Sequence, residues 1–359
     1  MQVRGRLFGM FAFDVGYEID LRQARQLTTA DDAPDLERRR AAPAHLGFAM
    51  PPLRINLGDL DVSVGGQTAR ASSHGTLHEF GAITISLRVD FDSEMSALPA
   101  LTASLASTGS LENSARVLLS GLYERVLPAI VKPGLNAFIE DYYVVQCDRI
   151  DAMTIDDFLL SNRVAIASML RCEATPLSSG EVDDVLRSRL SYYPDDLILT
   201  EWNVAFIVDP DYKDAINILE HLNVQLLELR YYDAVLDRHV ANSYDVSAPP
   251  ARRLPLRPYR RTIEELATIR IDVSTIVERI HNALKLSGDL YLAKIYSRTA
   301  DRLGLMAWEK SIADKLDVLQ QMYNVLVQRV TTARAELLEV TIIVLIAVEM
   351  FLFLAGWGF

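Results

Sequence analysis

The sequence predicts an α+β head domain, an all-α stalk that is a helical hairpin or coiled coil, and one C-terminal transmembrane helix. Three observations carry this. Strand-like alternation and helix-like spacing are mixed without regular succession up to about residue 246. A heptad seam follows a proline- and arginine-rich break. The chain ends on its most apolar stretch, LLEVTIIVLIAVEMFLFLAGWGF.

In chain order, Val3, Leu7, Phe11, Phe13 and Val15 share one parity while Arg4, Arg6 and Asp14 share the other, so residues 3–15 read as a half-buried strand. A short helix is expected over Asp20–Leu27, and residues 28–52 read as a polar loop or insertion. Ile55–Val64 is a weak strand closed by a Gly65-Gly66 turn. GAITISLRVDF, residues 81–91, is the clearest strand, with Ile83, Ile85, Leu87, Val89 and Phe91 on one face. Helices are expected around 94–107 and 111–131, then a strand at Tyr142–Cys147. Thr154 precedes a helix whose first turn holds Asp156 and Asp157, where negative charge suits the helix dipole. A helix near 179–189, strands at 197–200 and 204–208, and a long helix over 211–241 complete the head.

Residues 247–261 carry four prolines and five arginines and read as a linker. Arg252, Arg253, Arg257, Arg260 and Arg261 form the densest basic cluster, a candidate contact for lipid head groups or RNA phosphate. The stalk is expected over 262–339. Ile269, Val273, Val277, Ile280 and Leu284 make one apolar face, and Ser287-Gly288 allows a turn. Ile312, Leu316, Leu319, Tyr323, Leu326 and Val330 repeat at steps of four and three, continuing to Ala333 and Leu337. Periodicity alone does not choose between a hairpin within one chain and a coiled coil between chains.

Residues 340–357 are expected to form the membrane span, about 27 Å long at about 1.5 Å per residue, against a hydrocarbon core of roughly 30 Å. Glu349 sits near its middle. A helical wheel groups Thr341, Leu345, Glu349 and Gly356 in one sector, a candidate contact face between copies. Arg329 and Arg334 precede the span, which orients the head toward the cytoplasm.

Charge narrows the functional classes. The net charge is −12, and residues 1–248 alone hold 21 basic and 36 acidic residues. Such a head is unsuited to phosphate contacts, so sequence-specific DNA binding is not expected. Cys147 and Cys172 have no nearby metal-ligand or redox motif. There is no phosphate-binding Gly-rich loop and no nucleophile elbow. His74 and His78 lie four apart, but Gly75 breaks a helical reading. No catalytic residue, cofactor or metal is therefore assigned, and the chain is not read as an enzyme.

LLEVTIIVLIAVE, with Leu338, Glu339, Ile342, Ile343, Leu345, Ile346 and Glu349, resembles the tail of the "required for meiotic nuclear division" family. The run KLDVLQQMYNVLVQRVTTARAELLE is similar to that family's stalk, and EFGAITISL, residues 79–87, to its N-terminal strand. Val340 stands where the family usually has Trp, and Ile83-Thr84-Ile85 replaces an aromatic-rich segment, which marks a distant branch. The resemblance implies a C-terminal membrane anchor, self-association and no established catalysis. It implies a bacterial inner-membrane location in preference to the mitochondrial one, since no transit peptide is read. The expected function is a tail-anchored homo-oligomeric scaffold or tether with a partner-binding head. The alternatives are a ribosome-associated or RNA-associated membrane factor and a small oligomeric pore with Glu349 in its interface.

Overall fold

The computed structural model describes residues 1–28, 46–48, 51–148, 150, 153–247, 257–286 and 290–354. Strand β1 (Gln2–Asp14) is followed by β2 (Glu18–Ile19), helix α1 (Leu21–Leu27), β3 (Leu46–Phe48), β4 (Leu53–Val64), β5 (Gln67–Leu77) and β6 (Ala82–Glu94). Next come α2 (Leu98–Thr108), α3 (Ser110–Val126), β7 (Ile130–Val131), β8 (Ile139–Cys147), α4 (Ile155–Leu170), α5 (Ser179–Leu186), β9 (Leu197–Thr200) and β10 (Val204–Val208). The remaining elements are α6 (Lys213–Ser247), α7 (Arg257–Ala283), β11 (Leu284–Leu286), α8 (Leu290–Arg302) and α9 (Leu305–Leu354).

The chain divides into two compact units. One comprises Met1–Tyr231 and Val277–Trp308; the other comprises Tyr232–Ile276 and Glu309–Phe359. The first unit is an α/β layer structure on a mixed seven-stranded sheet in the order β4-β5-β6-β1-β8-β10-β9. All neighbours are antiparallel except β8 and β10. This corrects the α+β expectation. Local patterning found most strands, but it could not show that they join one sheet covered on both faces.

Period-two alternation assigns the two faces. Leu7, Phe11 and Phe13 of β1 share a core with Ile83, Ile85 and Leu87 of β6 and with Val145 and Phe206. Helices α2 to α5 cover this face through Leu105, Leu119, Leu122, Phe158, Ile166 and Val182. The opposite face presents Phe8, Met10, Ala12 and Asp14 of β1 and Tyr142, Val144 and Gln146 of β8, all buried. There α6 lies across the sheet: the Asn223 side-chain amide donates to the Glu140 carbonyl at 3.0 Å, and the Phe8 and Tyr212 rings meet at 5.7 Å.

Local chemistry sets the element ends. Asp20 accepts from the backbone N–H groups of Arg22 and Gln23, and Thr154 accepts from Asp157 N. Gly65 and Gly66 take positive φ at +58° and +79°, the conformation of a two-residue hairpin turn between β4 and β5. Strand β5 was not expected, because its Ala, Ser, Thr and Gly residues give no apolar alternation.

The second unit is a bundle of the end of α6, α7 and α9. Lys315 on α9 bridges Asp233 at 2.7 Å and Asp237 at 2.6 Å on α6. Arg270 on α7 donates to Gln320 on α9. Leu236, Leu266, Val273, Ile312, Leu319 and Leu326 fill the interior.

Among the described residues no helix is long and apolar enough to cross a membrane. The expected transmembrane helix at 340–357, the tail anchor and the single-pass membrane location therefore do not hold. Within the expected span Glu349 interrupts the apolar run of α9, and a charged side chain near a bilayer centre costs roughly 2.5–3.5 kcal/mol.

Candidate functional site

The predicted heptad seam is an intrachain packing face. Ile312, Leu319 and Leu326 are buried, and Leu316, Tyr323 and Val330 are half-buried. Within the chain these positions pack in the bundle with α6 and α7.

Beyond Ala333 the helix loses this cover. All twelve large apolar side chains between Leu337 and Leu352, from Val340 and Ile342 to Phe351, are 43–71% exposed. Leu345 is among them, at 62%. Thr341 spends its hydroxyl on its own helix, donating to the Leu337 carbonyl at 2.7 Å. Glu349 is exposed amid these residues and makes no hydrogen bond or ion pair with the described residues. Gly356, the fourth member of the expected face, lies outside the described residues.

Of the basic cluster, Arg252 and Arg253 also lie outside the described residues. Arg257, Arg260 and Arg261 fall in the first turns of α7, so helix replaces the expected extended linker from residue 257 onward. Between α7 and α9 runs an open groove of about 470 Å³, lined among others by Leu266, Arg270 and Ile271 on one wall and Leu319, Gln320 and Tyr323 on the other.

Sequence reading missed a polar seam where α6 crosses the sheet. Glu220, His221, Asn223, Gln225 and Glu228 of α6 are all buried. The leucine stripe at 219, 222, 226 and 229 marked one face, while these polar residues occupy the others. The signal was available in the long helix itself, whose polar residues in this stretch show no single solvent side.

At one end of the seam, Asp14 accepts from Asn136 Nδ2 at 2.6 Å and Gly16 N at 3.2 Å. Burial nevertheless pushes its carboxyl up to about 6. Glu228 is held well above the carboxylate range by burial and the Asp14 charge, and its Oε1 accepts no hydrogen bond among the described residues. Burial also pushes Glu140 up to about 7, against the pull of its ion pair with Arg230. Farther along, His78 Nε2 lies 3.2 Å from the Thr84 hydroxyl. Burial, with a smaller contribution from His221, pushes His78 down to about 3. Burial pushes His221 to about 4. Burial thus disfavours charge on each of these groups. No group of three or more His, Cys, Asp or Glu among the described residues is arranged to hold a metal.

A second network closes the far side of the head. Glu201, 2% exposed, takes Arg171 Nη1 at 2.9 Å and has Arg302 Nε at 3.4 Å, while Tyr142 donates to its main-chain carbonyl at 2.9 Å. Arg302 also donates to the Asp184 carbonyl at 3.0 Å. These contacts tie α4, α5, α8 and the β9–β10 turn together.

Residues 4–215, most of the sheet and its helices, match the family described as "Uncharacterized protein MJ0711, N-terminal domain". The chain belongs to this family. It is 25% identical over 236 residues to "Uncharacterized protein MJ0711" of Methanocaldococcus jannaschii, covering 65% of this chain and 72% of that relative. No solved structure matches. The match ends three residues into α6 and leaves out the rest of α6 with α7, α8 and α9. The finer resemblance to the "required for meiotic nuclear division" family is not shown by these comparisons.

Proposed function

We propose that the chain is a non-catalytic homo-oligomeric scaffold, assembled through the apolar end of α9, with the head as its partner-binding part. One observation carries this reading. Twelve large apolar side chains of Leu337–Leu352 are exposed on a single helix. A contiguous apolar surface of that extent marks an interaction site on a folded chain, and burying each side chain stabilises by roughly 1.5–3 kcal/mol. The self-association implied by the resemblance to the "required for meiotic nuclear division" family points the same way.

Sedimentation velocity on the full chain tests it. A discrete oligomer is expected, with Ile342→Lys and Leu345→Lys each shifting the population toward monomer. A wild-type chain that stays monomeric at tens of micromolar would overturn the reading.

A further inference from the structure

The groove between α7 and α9 and the apolar end of α9 are complementary surfaces on one unit. We propose that two copies pair antiparallel about a two-fold axis, each placing the end of its α9 in the α7–α9 groove of the other. This rests on the oligomeric reading above and adds its geometry.

Charge fixes the register. Arg270 stands on the groove wall with Gln320, a neutral group, as its side-chain hydrogen-bond partner. Glu349 is a carboxylate without a partner among the described residues, surrounded by exposed apolar side chains. Setting Glu349 of one copy level with Gln320 and Arg270 of the other places the two-fold axis between Arg334 and Ala335. The two-fold symmetry makes this contact twice.

Leu345 and Leu352, four residues before and three after Glu349, share its helix face and would enter the groove with it, against Leu319 and Tyr323. Affinity would come from this apolar burial, and the ion pairs would select the direction and register, because solvent-rimmed pairs add little on their own.

A charge exchange tests the pairing. Arg270→Glu and Glu349→Arg are both exposed substitutions, so folding is preserved, as circular dichroism would verify. Each alone should weaken dimerisation by about tenfold, and the double variant should return to within about threefold of wild type. An assembly indifferent to both single variants, yet broken by Ile342→Lys, would overturn this register while leaving the oligomeric reading standing. A monomeric wild-type chain would overturn both.

Discussion

The Glu201 carboxylate lies 2.9 Å from the Arg171 guanidinium, with Glu201 almost wholly buried. Arg171 closes α4, and Glu201 sits in the β9–β10 turn, so the pair joins the helical layer to the edge of the sheet. Burial raises the Glu201 carboxyl, and Arg171 and Arg302 oppose that rise. Replacing Arg171 with Met should cost about 2 kcal/mol, since it leaves a buried carboxylate with one weaker partner. Chemical denaturation would read this as a lower midpoint, and an unchanged midpoint would show that Arg302 alone suffices.

The buried carboxyls should make stability fall as pH rises, against the opposite pull of His78 and His221, whose folded-state values of about 3 and about 4 favour the native state at higher pH. Asp14 and Glu140 have folded-state values of about 6 and about 7, above their ordinary 3.8 and 4.5. Glu228 is raised in the same direction. The native state therefore binds more protons than the unfolded chain above pH 4, and this contribution is lost as pH climbs through 6 to 7. Thermal melts should show a higher midpoint at pH 5.5 than at pH 8 from these groups. Glu228→Gln should flatten that difference and stabilise the chain at pH 8; an unaltered slope would remove Glu228 from the linkage.

Gly5 on β1 is irreplaceable for steric reasons. A Cβ there would lie 1.8 Å from the Gln146 carbonyl oxygen on β8. Gly5→Ala should destabilise by about 3 kcal/mol or more, because backbone in the middle of the sheet must move. Gly121→Ala in α3, where a Cβ meets nothing within 4 Å, should stabilise by roughly 0.5–1 kcal/mol. Urea midpoints of the two variants should therefore move in opposite directions.

Both thiols should resist alkylation in the native chain. Burial pushes Cys147 up to about 12 and Cys172 up to about 11, so little thiolate is present at pH 8. Mass spectrometry after iodoacetamide should find both largely unmodified until denaturant is added, with Cys172 the faster to react because it is less buried. Equal rates in native and denatured protein would contradict this packing.

Much of the fold was legible wherever large apolar residues recur at every second position, even in strands buried on both faces. Leu7, Phe11 and Phe13, and likewise Ile83, Ile85 and Leu87, announced their strands because period-two alternation survives in the sequence. Asp20 and Thr154 announced their helices because a cap is a local device. Strand β5 was hidden because its interior positions are Ala71, Ser73 and Gly75, which are small and not strongly apolar. The buried polar seam was hidden because Glu220, His221 and Glu228 resemble a solvent face until the sheet is placed against them. The tail misled because hydropathy averages over composition and does not weigh Glu349 against its surroundings. The heptad periodicity marks an apolar face, but where its partner lies is a tertiary fact that local spacing does not carry.

The position of β1 in the middle of the sheet has a kinetic consequence. It is made before the other described strands, yet its neighbours are β6, some eighty residues later, and β8, which begins at Ile139. Its hydrogen-bonding edges stay unpaired until those segments have been made, and β8 in turn awaits β10 at Val204–Val208. At roughly 5–20 residues per second the wait lasts many seconds. Contacts of such long sequence separation slow folding. Nascent chains should therefore be most prone to aggregate through β1 before β8 emerges, and a factor that shields Phe8, Met10 and Phe11 during that interval would raise the yield of folded protein.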